Sequence, residues 1–182
     1  MYKTAMCGIG EAGSMHENTN TTDQTEGQPT PAEAAAENPT TDPTVPVRFD
    51  TKVVVVLRDD LQPWQELNVT AFLMSGIATS DEGLVGENYR DADGNDYLPM
   101  LRQPVMVMTA DADKLRSIRT KAMGRGIPTA IYTEELFSTG HDAANRAAVA
   151  GFPAEELNLV GVALRGAKNG VDRVAKGANM HA

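Results

Sequence analysis

Residues 52–64 read Lys-Val-Val-Val-Val-Leu-Arg-Asp-Asp-Leu-Gln-Pro-Trp, a run of apolar side chains bracketed by charge. The stretch Val53–Leu57 shows no alternation of polar and apolar positions. A strand apolar on both faces belongs in the middle of a sheet covered above and below. Asp59 and Asp60 end the run, and Pro63 is tolerated in a helix only within its first turn. The pattern therefore predicts a strand, a turn and a helix, with acidic side chains where the strand finishes. In open α/β sheets that carboxyl edge is where ligands usually sit.

Residues 63–79 carry no charge beyond Glu66. At 100° per residue Trp64, Leu67, Ala71, Met74 and Ala78 share one face, and Val69, Leu73 and Ile77 cover much of the rest. A helix apolar nearly all round is expected to be buried or to pack on two partners, which makes its polar residues Asn68, Thr70 and Ser75 stand out, with Trp64, Asn68 and Ser75 on one stripe. Residues 80–103 read as loop or hairpin, with a turn at Asp93-Gly94-Asn95. A second strand is expected at 104–109. The helix 112–123 follows, capped by Asp111, with Leu115, Ile118, Ala122 and Met123 on its apolar face and Gly124 and Gly126 ending it. A third strand at 127–132, a loop to Gly140, a short helix at 141–150, a fourth strand at 157–164 and a helix over 167–176 complete the pattern. Strands alternating with helices imply βαβ units.

The first part of the chain differs in kind. Residues 17–44 contain no Val, Ile, Leu, Met, Phe, Tyr, Trp or Cys and hold six acidic and no basic residues. Such a stretch cannot bury enough apolar surface to offset the entropy of ordering it. Residues 1–47 are therefore expected to be a disordered acidic tail, and 48–182 a single α/β domain. Residues 1–44 account for −6 of the net charge of −9. The rest is polarised, with −7 on residues 45–113 and +4 on 114–182. Lys114, Arg116, Arg119, Lys121 and Arg125 share one helix, either as an anion-attracting patch or, the more ordinary reading, as a solvated face. Cys7 is the single cysteine, so no intrachain disulfide is available. The chain lacks a signal-like apolar run before Cys7 and any apolar stretch of membrane-spanning length. A cytoplasmic protein is expected, with Met15 as an alternative start.

Familiar chemical motifs fail on inspection. Asp91-Ala92-Asp93-Gly94-Asn95 begins like a calcium loop, but Asp96 and Arg102 stand where Gly and Glu are needed. Gly124-Arg125-Gly126 lacks the rest of a dinucleotide fingerprint. The stretch from Gly161 to Gly166 departs from a phosphate loop, because Ala167 precedes Lys168 and Asn169 replaces Ser or Thr. One weaker reading survives: Gly166-Ala167-Lys168 joins a strand to a helix N-terminus, where free N–H groups favour an anion. His16, His141 and His181 are too scattered for a metal site. Ser138, Thr139, His141 and Asp142 are too close in sequence to converge as a triad. Asp59 and Asp60 serve equally well as an acid/base pair or as turn caps. No metal or cofactor is expected.

The order of these segments resembles the archaeal and eukaryotic type of peptidyl-tRNA hydrolase. The matching pieces are Arg58-Asp59-Asp60-Leu61, the helix behind it, the strands 104–109 and 127–132, and the closing 159–166 and 171–174. Over residues 52–177 the chain is closer still to the domain-of-unknown-function family numbered two thousand, a sister family. That family's helix Asn matches Asn68, and its Asp-Ala-Asp-Gly hairpin matches residues 91–94. The resemblance implies a three-layer α/β/α domain of peptidyl-tRNA-hydrolase-like fold with a mixed sheet of about four strands. A ligand site is expected at the edge formed by Asp59, Asp60, Asn68 and the Tyr132–Glu134 loop. The hydrolases place Lys-Gly-Lys at the start of the first helix and Asp-Ala-Gly-x-Thr after the third strand. Here Gln65-Glu66-Leu67 and residues 133–137 (TEELF) stand there, which inverts the local electrostatics.

The leading expectation is a protein that binds a small ligand at that edge through Asp59, Asn68 and Tyr132, with Lys168 as a further ligand contact. The second is an ester or amide hydrolase using Asp60 or Glu134 as general base, with tRNA as the candidate partner. The third is a non-catalytic interaction module whose acidic tail contacts a basic partner. No membrane partner is expected, and a homodimer remains open.

Overall fold

Eight residues, Thr51–Arg58, form β1, and its two neighbours explain its composition: β4 (Val105–Ala110) runs parallel on one side and β6 (Leu159–Ala167) antiparallel on the other. A computed structural model describes residues 44–182, within which 46–182 form one unit. The acidic tail, Cys7 and the alternative start at Met15 lie outside the described residues, apart from the tail's last few positions. Two further strands, β5 (Thr129–Thr133) beside β6 and β7 (Asn179–Met180) beside β4, complete a mixed sheet in the order β5-β6-β1-β4-β7. The expected sheet of about four strands therefore has five. The extra strand is two residues long and carries no apolar run, so nothing in its sequence announces it. A separate hairpin of β2 (Tyr89–Arg90) and β3 (Asp96–Tyr97) fills the predicted turn region. Its Asp91 carboxylate accepts from Asn95, Tyr97 and Asp93, bonds that lower its pKa to about 2. Gly94 turns the chain at φ 89°, so these residues form a hairpin, as expected, rather than an ion cage.

The sheet is covered on both sides. On one face Val53, Val55 and Leu57 pack with Val69, Leu73 and Ile77 of α1 (Pro63–Ala78). On the other, Val54 and Val56 meet Leu115, Ile118 and Ala122 of α2 (Ala112–Met123) and Val171 and Val174 of α4 (Lys168–Ala175). The alternating destinations of one unbroken valine run follow from the two-residue period of a strand. Asp111 caps α2 by accepting from Lys114 N–H at 2.7 Å, as its position before the helix predicts. α3 (Asp142–Ala150) follows a 3-10 turn at Glu134–Ser138. On α2 Arg116 pairs with Asp113, and just beyond its end Arg125 donates to the Lys121 carbonyl, which fits a solvated basic face better than an anion patch.

Three expectations need correction. α1 is not buried all round: Val69, Leu73 and Ile77 form its only buried stripe, while Trp64, Leu67 and Phe72 are 60%, 75% and 51% exposed. One helix above a five-stranded sheet has a single partner, so its far side meets solvent. Met123 likewise turns outward at the end of α2. The third strand starts at Thr129 rather than at 127, because Pro128 has no N–H for the ladder and offers only its carbonyl, which accepts from Arg165 N–H.

Candidate functional site

The exposed side of α1 turns a sequence stripe into a wall. Trp64, Asn68, Phe72 and Ser75 follow one another at helical spacing and line a cleft of about 450 Å³. The opposite wall comes from the end of β5, the 3-10 turn and the start of α3, through Tyr132, Leu136, Phe137 and residues 139–142. Four rings meet in sequence across it. Trp64 and Phe137 lie edge-on with centroids 5.5 Å apart, Phe137 and Tyr132 are 5.2 Å apart, and Tyr132 and Phe72 are 5.8 Å apart. Contacts of this kind fix ring orientation and leave an apolar floor.

Polar groups are few and specifically held. The Tyr132 hydroxyl donates to Asn68 Oδ1 at 3.1 Å in a half-buried pair, and burial of the ring pushes the phenol pKa upward, so the proton that makes this bond stays in place at neutral pH. Among the described residues nothing accepts from the Asn68 amide nitrogen, which leaves a free donor in the cleft wall. His141 caps α3, its Nδ1 accepting from Ala144 N–H at 3.3 Å. In the neutral ring the proton is then on Nε2, a second donor beside the cleft. Asp142 pairs with Arg146, and Thr139 Oγ1 contacts both the Leu136 carbonyl and Asn145 Oδ1. His141 and Asp142 thus serve the helix start and do not form a relay with Ser138.

The two expected catalytic carboxylates meet at one arginine. Arg58, the last residue of β1, holds Asp60 Oδ1 with Nε at 2.5 Å, Glu134 Oε2 with Nη2 at 2.8 Å and Asn158 Oδ1 with Nη1 at 3.1 Å. Burial alone would lower the guanidinium pKa, but the hydrogen bonds it donates to Asp60 and Glu134, together with the charge of those carboxylates, more than offset it and leave it raised. This bracket ties the end of β1 to the 3-10 turn and to the strand that follows Asn158. It sets the far wall of the cleft, although neither Asp60 nor Glu134 lines it. Asp59 is exposed and anchored through its backbone, its N–H donating to the Ala110 carbonyl at 3.1 Å. Lys168 lies at the opposite end of the sheet, beside the first residues of β1, and shares nothing with the cleft.

The structure therefore brings together Asn68 and Tyr132, places Asp60 and Glu134 nearby on a common partner, and separates Asp59 and Lys168. Sequence reasoning missed Arg58, Phe72 and Phe137. Phe72 was recoverable as the next residue of the Trp64–Asn68 stripe. Arg58 reads as a strand end until the sheet order sets Glu134 and Asn158 beside it. Among the described residues no cluster of His, Cys, Asp or Glu could hold a metal ion, and no helix is long and apolar enough to cross a membrane.

A family model for proteins of unknown function, DUF2000, matches residues 51–182. The chain belongs to this family. No curated protein matches it. A solved structure of a protein of unknown function from Agrobacterium tumefaciens is similar to this DUF2000 chain at 50% sequence identity. The match covers 74% of this chain and 100% of that one, with a TM-score of 0.72. The family match begins with β1 and includes every residue of the cleft and of the Arg58 bracket.

Asn68 is open to a direct test. Its partner Tyr132 faces a cleft that admits water, so a lost hydrogen bond there is readily replaced. Asn68→Ala is expected to cost about 1 kcal/mol or less in chemical denaturation, at the low end for a lost hydrogen bond. A loss of 2 kcal/mol or more, near the ~1–3 kcal/mol expected for an unsatisfied buried partner, would make Asn68 a structural residue.

Proposed function

We propose that this domain binds a small organic molecule carrying a flat, ring-like group in the cleft between α1 and the 3-10 turn. The observation that carries the reading is the chain of four rings, Trp64-Phe137-Tyr132-Phe72, with the free Asn68 amide nitrogen beside it. Its volume of about 450 Å³ suits a small ligand, and an apolar lining with a few fixed polar groups is the usual composition of such sites. The layered architecture with a mixed sheet supports a peptidyl-tRNA-hydrolase-like fold. A hydrolytic function has less support. The first turn of α1 offers Gln65 and Glu66 where the hydrolases use lysines, and Asp60 and Glu134 are both engaged with Arg58.

Trp64 is the only tryptophan and stands at the mouth of the cleft, so its fluorescence reports occupancy directly. A thermal-shift screen of ring-bearing compounds, followed by Trp64 titration, is expected to give a ligand that does both: raises the melting temperature and alters Trp64 emission. At a hundredfold its Kd it should stabilise by about 2.7 kcal/mol. Asn68→Ala and Phe137→Ala should weaken that ligand about tenfold or more. Stabilising hits that leave Trp64 emission untouched would place binding elsewhere. The same preparation is expected to release no peptide from peptidyl-tRNA at an enzymatic rate. Turnover that survives purification and disappears in Asp60→Ala would instead support the hydrolase.

A further inference from the structure

Lys168 stands far from the aromatic cleft, in a groove of its own. The eight residues of β1 separate the two sites by roughly 23 Å at ~3.3 Å per residue. At the start of β1 the apolar walls of this groove are Val47, Phe49, Pro104 and Met106, and its polar side chains are those of Arg48, Thr51, Lys52, Gln103 and Lys168. No carboxylate lines it. Lys52 is committed to Asp172 at 2.5 Å, whereas the side chains of Arg48 and Lys168 have no partner among the described residues. Asp50 contributes only its carbonyl, which accepts from Lys168 N–H at 3.1 Å.

Two free cations at a surface groove would be ordinary, but Gln103 changes the reading. It is one of only two buried polar or charged residues among those described, 8% exposed. Thr51 Oγ1 donates to its Oε1 at 2.8 Å, so the acceptor end of the amide is occupied. Its Nε2 has no partner among the described residues and keeps some exposure, and the residue lines the groove. An amide held by its oxygen, with its donors left open, is set to meet an acceptor in the groove. The unpartnered side-chain nitrogens here are all donors, two of them carry charge, and α4 begins at Lys168 so that its N-terminal end adds the same sign. The cavity is about 270 Å³, just below the range for drug-sized ligands.

We propose that this groove is a second binding site, for a small carboxylate with a short apolar body. The carboxylate accepts from Gln103 Nε2 and lies between Arg48 and Lys168, and the body rests on Phe49, Pro104 and Met106. A carboxylate with an apolar body fits better than phosphate because phosphate would leave Val47, Phe49, Pro104 and Met106 uncovered. The inference is independent of the aromatic cleft and would survive its failure.

The test titrates the full chain with hexanoate, acetate, hexanol and inorganic phosphate at constant ionic strength, followed by amide NMR. Hexanoate is expected to shift Arg48, Gln103 and Lys168 without altering Trp64 emission, and to bind about tenfold or more tighter than acetate or hexanol. Lys168→Gln and Arg48→Gln are each expected to weaken hexanoate about tenfold. Both positions are exposed, so these variants should fold normally. Gln103→Glu, which replaces the free donors with an acceptor, should abolish binding, and a circular dichroism melt checks that it folds. The proposal fails if hexanoate perturbs none of these residues, if hexanol binds as well, if phosphate binds more tightly, or if both cation variants bind hexanoate normally.

Discussion

Val55→Asp is expected to leave the domain without a cooperative melting transition. Val55 is 0% exposed against α1, and its neighbour Val54 is 1% exposed against α2 and α4. An unpaired carboxylate in either place loses its water and gains no partner, a penalty of several kcal/mol. It also removes a packed side chain in a domain whose whole stability is on the order of 5–15 kcal/mol. Val54→Asp should therefore fail as well, by way of the other core. Circular dichroism melts of the two variants test the two layers separately. A folded Val54→Asp would mean that α2 and α4 do not close that face of the sheet, and a folded Val55→Asp would say the same of α1.

Gly161→Ala is expected to be the most damaging single-methyl change. Gly161 sits on β6 directly beneath α1, and a Cβ there would lie 2.5 Å from Val69 Cγ1 and 2.9 Å from Leu73 Cδ1. Both neighbours are fully buried, so neither has room to yield. Overpacking of this kind costs about 1–3 kcal/mol. The more informative consequence is geometric. Gly161 pairs with Tyr132 across β5 and β6, so lifting α1 at this point moves Asn68 and Phe72 away from Tyr132. The variant should melt at a lower temperature, show altered Trp64 emission and lose any ligand held by the aromatic cleft. Unchanged stability together with unchanged emission would mean that α1 does not rest on β6.

Most of the skeleton was legible because its signals are local. The charges around Val53–Leu57 bound a strand, Pro63 starts a helix, Asp111 caps the next one, and Gly94 turns a hairpin. Each is a property of a few adjacent residues and survives any tertiary arrangement. The two-residue β7 and the inward or outward aspect of α1 have no such signal. In α1 the apolar residues are spread around the axis, so periodicity alone does not choose a buried face. The choice is made from outside, by a glycine almost a hundred residues further on. Val69 and Leu73 pack into the hollow that Gly161 leaves, and that rotation turns Trp64, Asn68 and Phe72 toward the 3-10 turn.

The candidate site divides along the same line. The sequence by itself determined that β1 is buried on both faces, that acidic residues gather at its carboxyl end, and that Trp64, Asn68 and Ser75 share one stripe. These follow from side-chain period and from turn chemistry. Only the tertiary structure decided that Arg58 gathers Asp60, Glu134 and Asn158, and that Tyr132 and Phe137 face the stripe on α1. It also set Lys168 with Gln103 at the far end of the sheet. Those partners are separated along the chain by many tens of residues, and their meeting depends on a strand order, β5-β6-β1-β4-β7, that the connections between successive segments do not encode. Local free energy fixes where elements begin and end; which elements become neighbours is settled by the packing of the whole core.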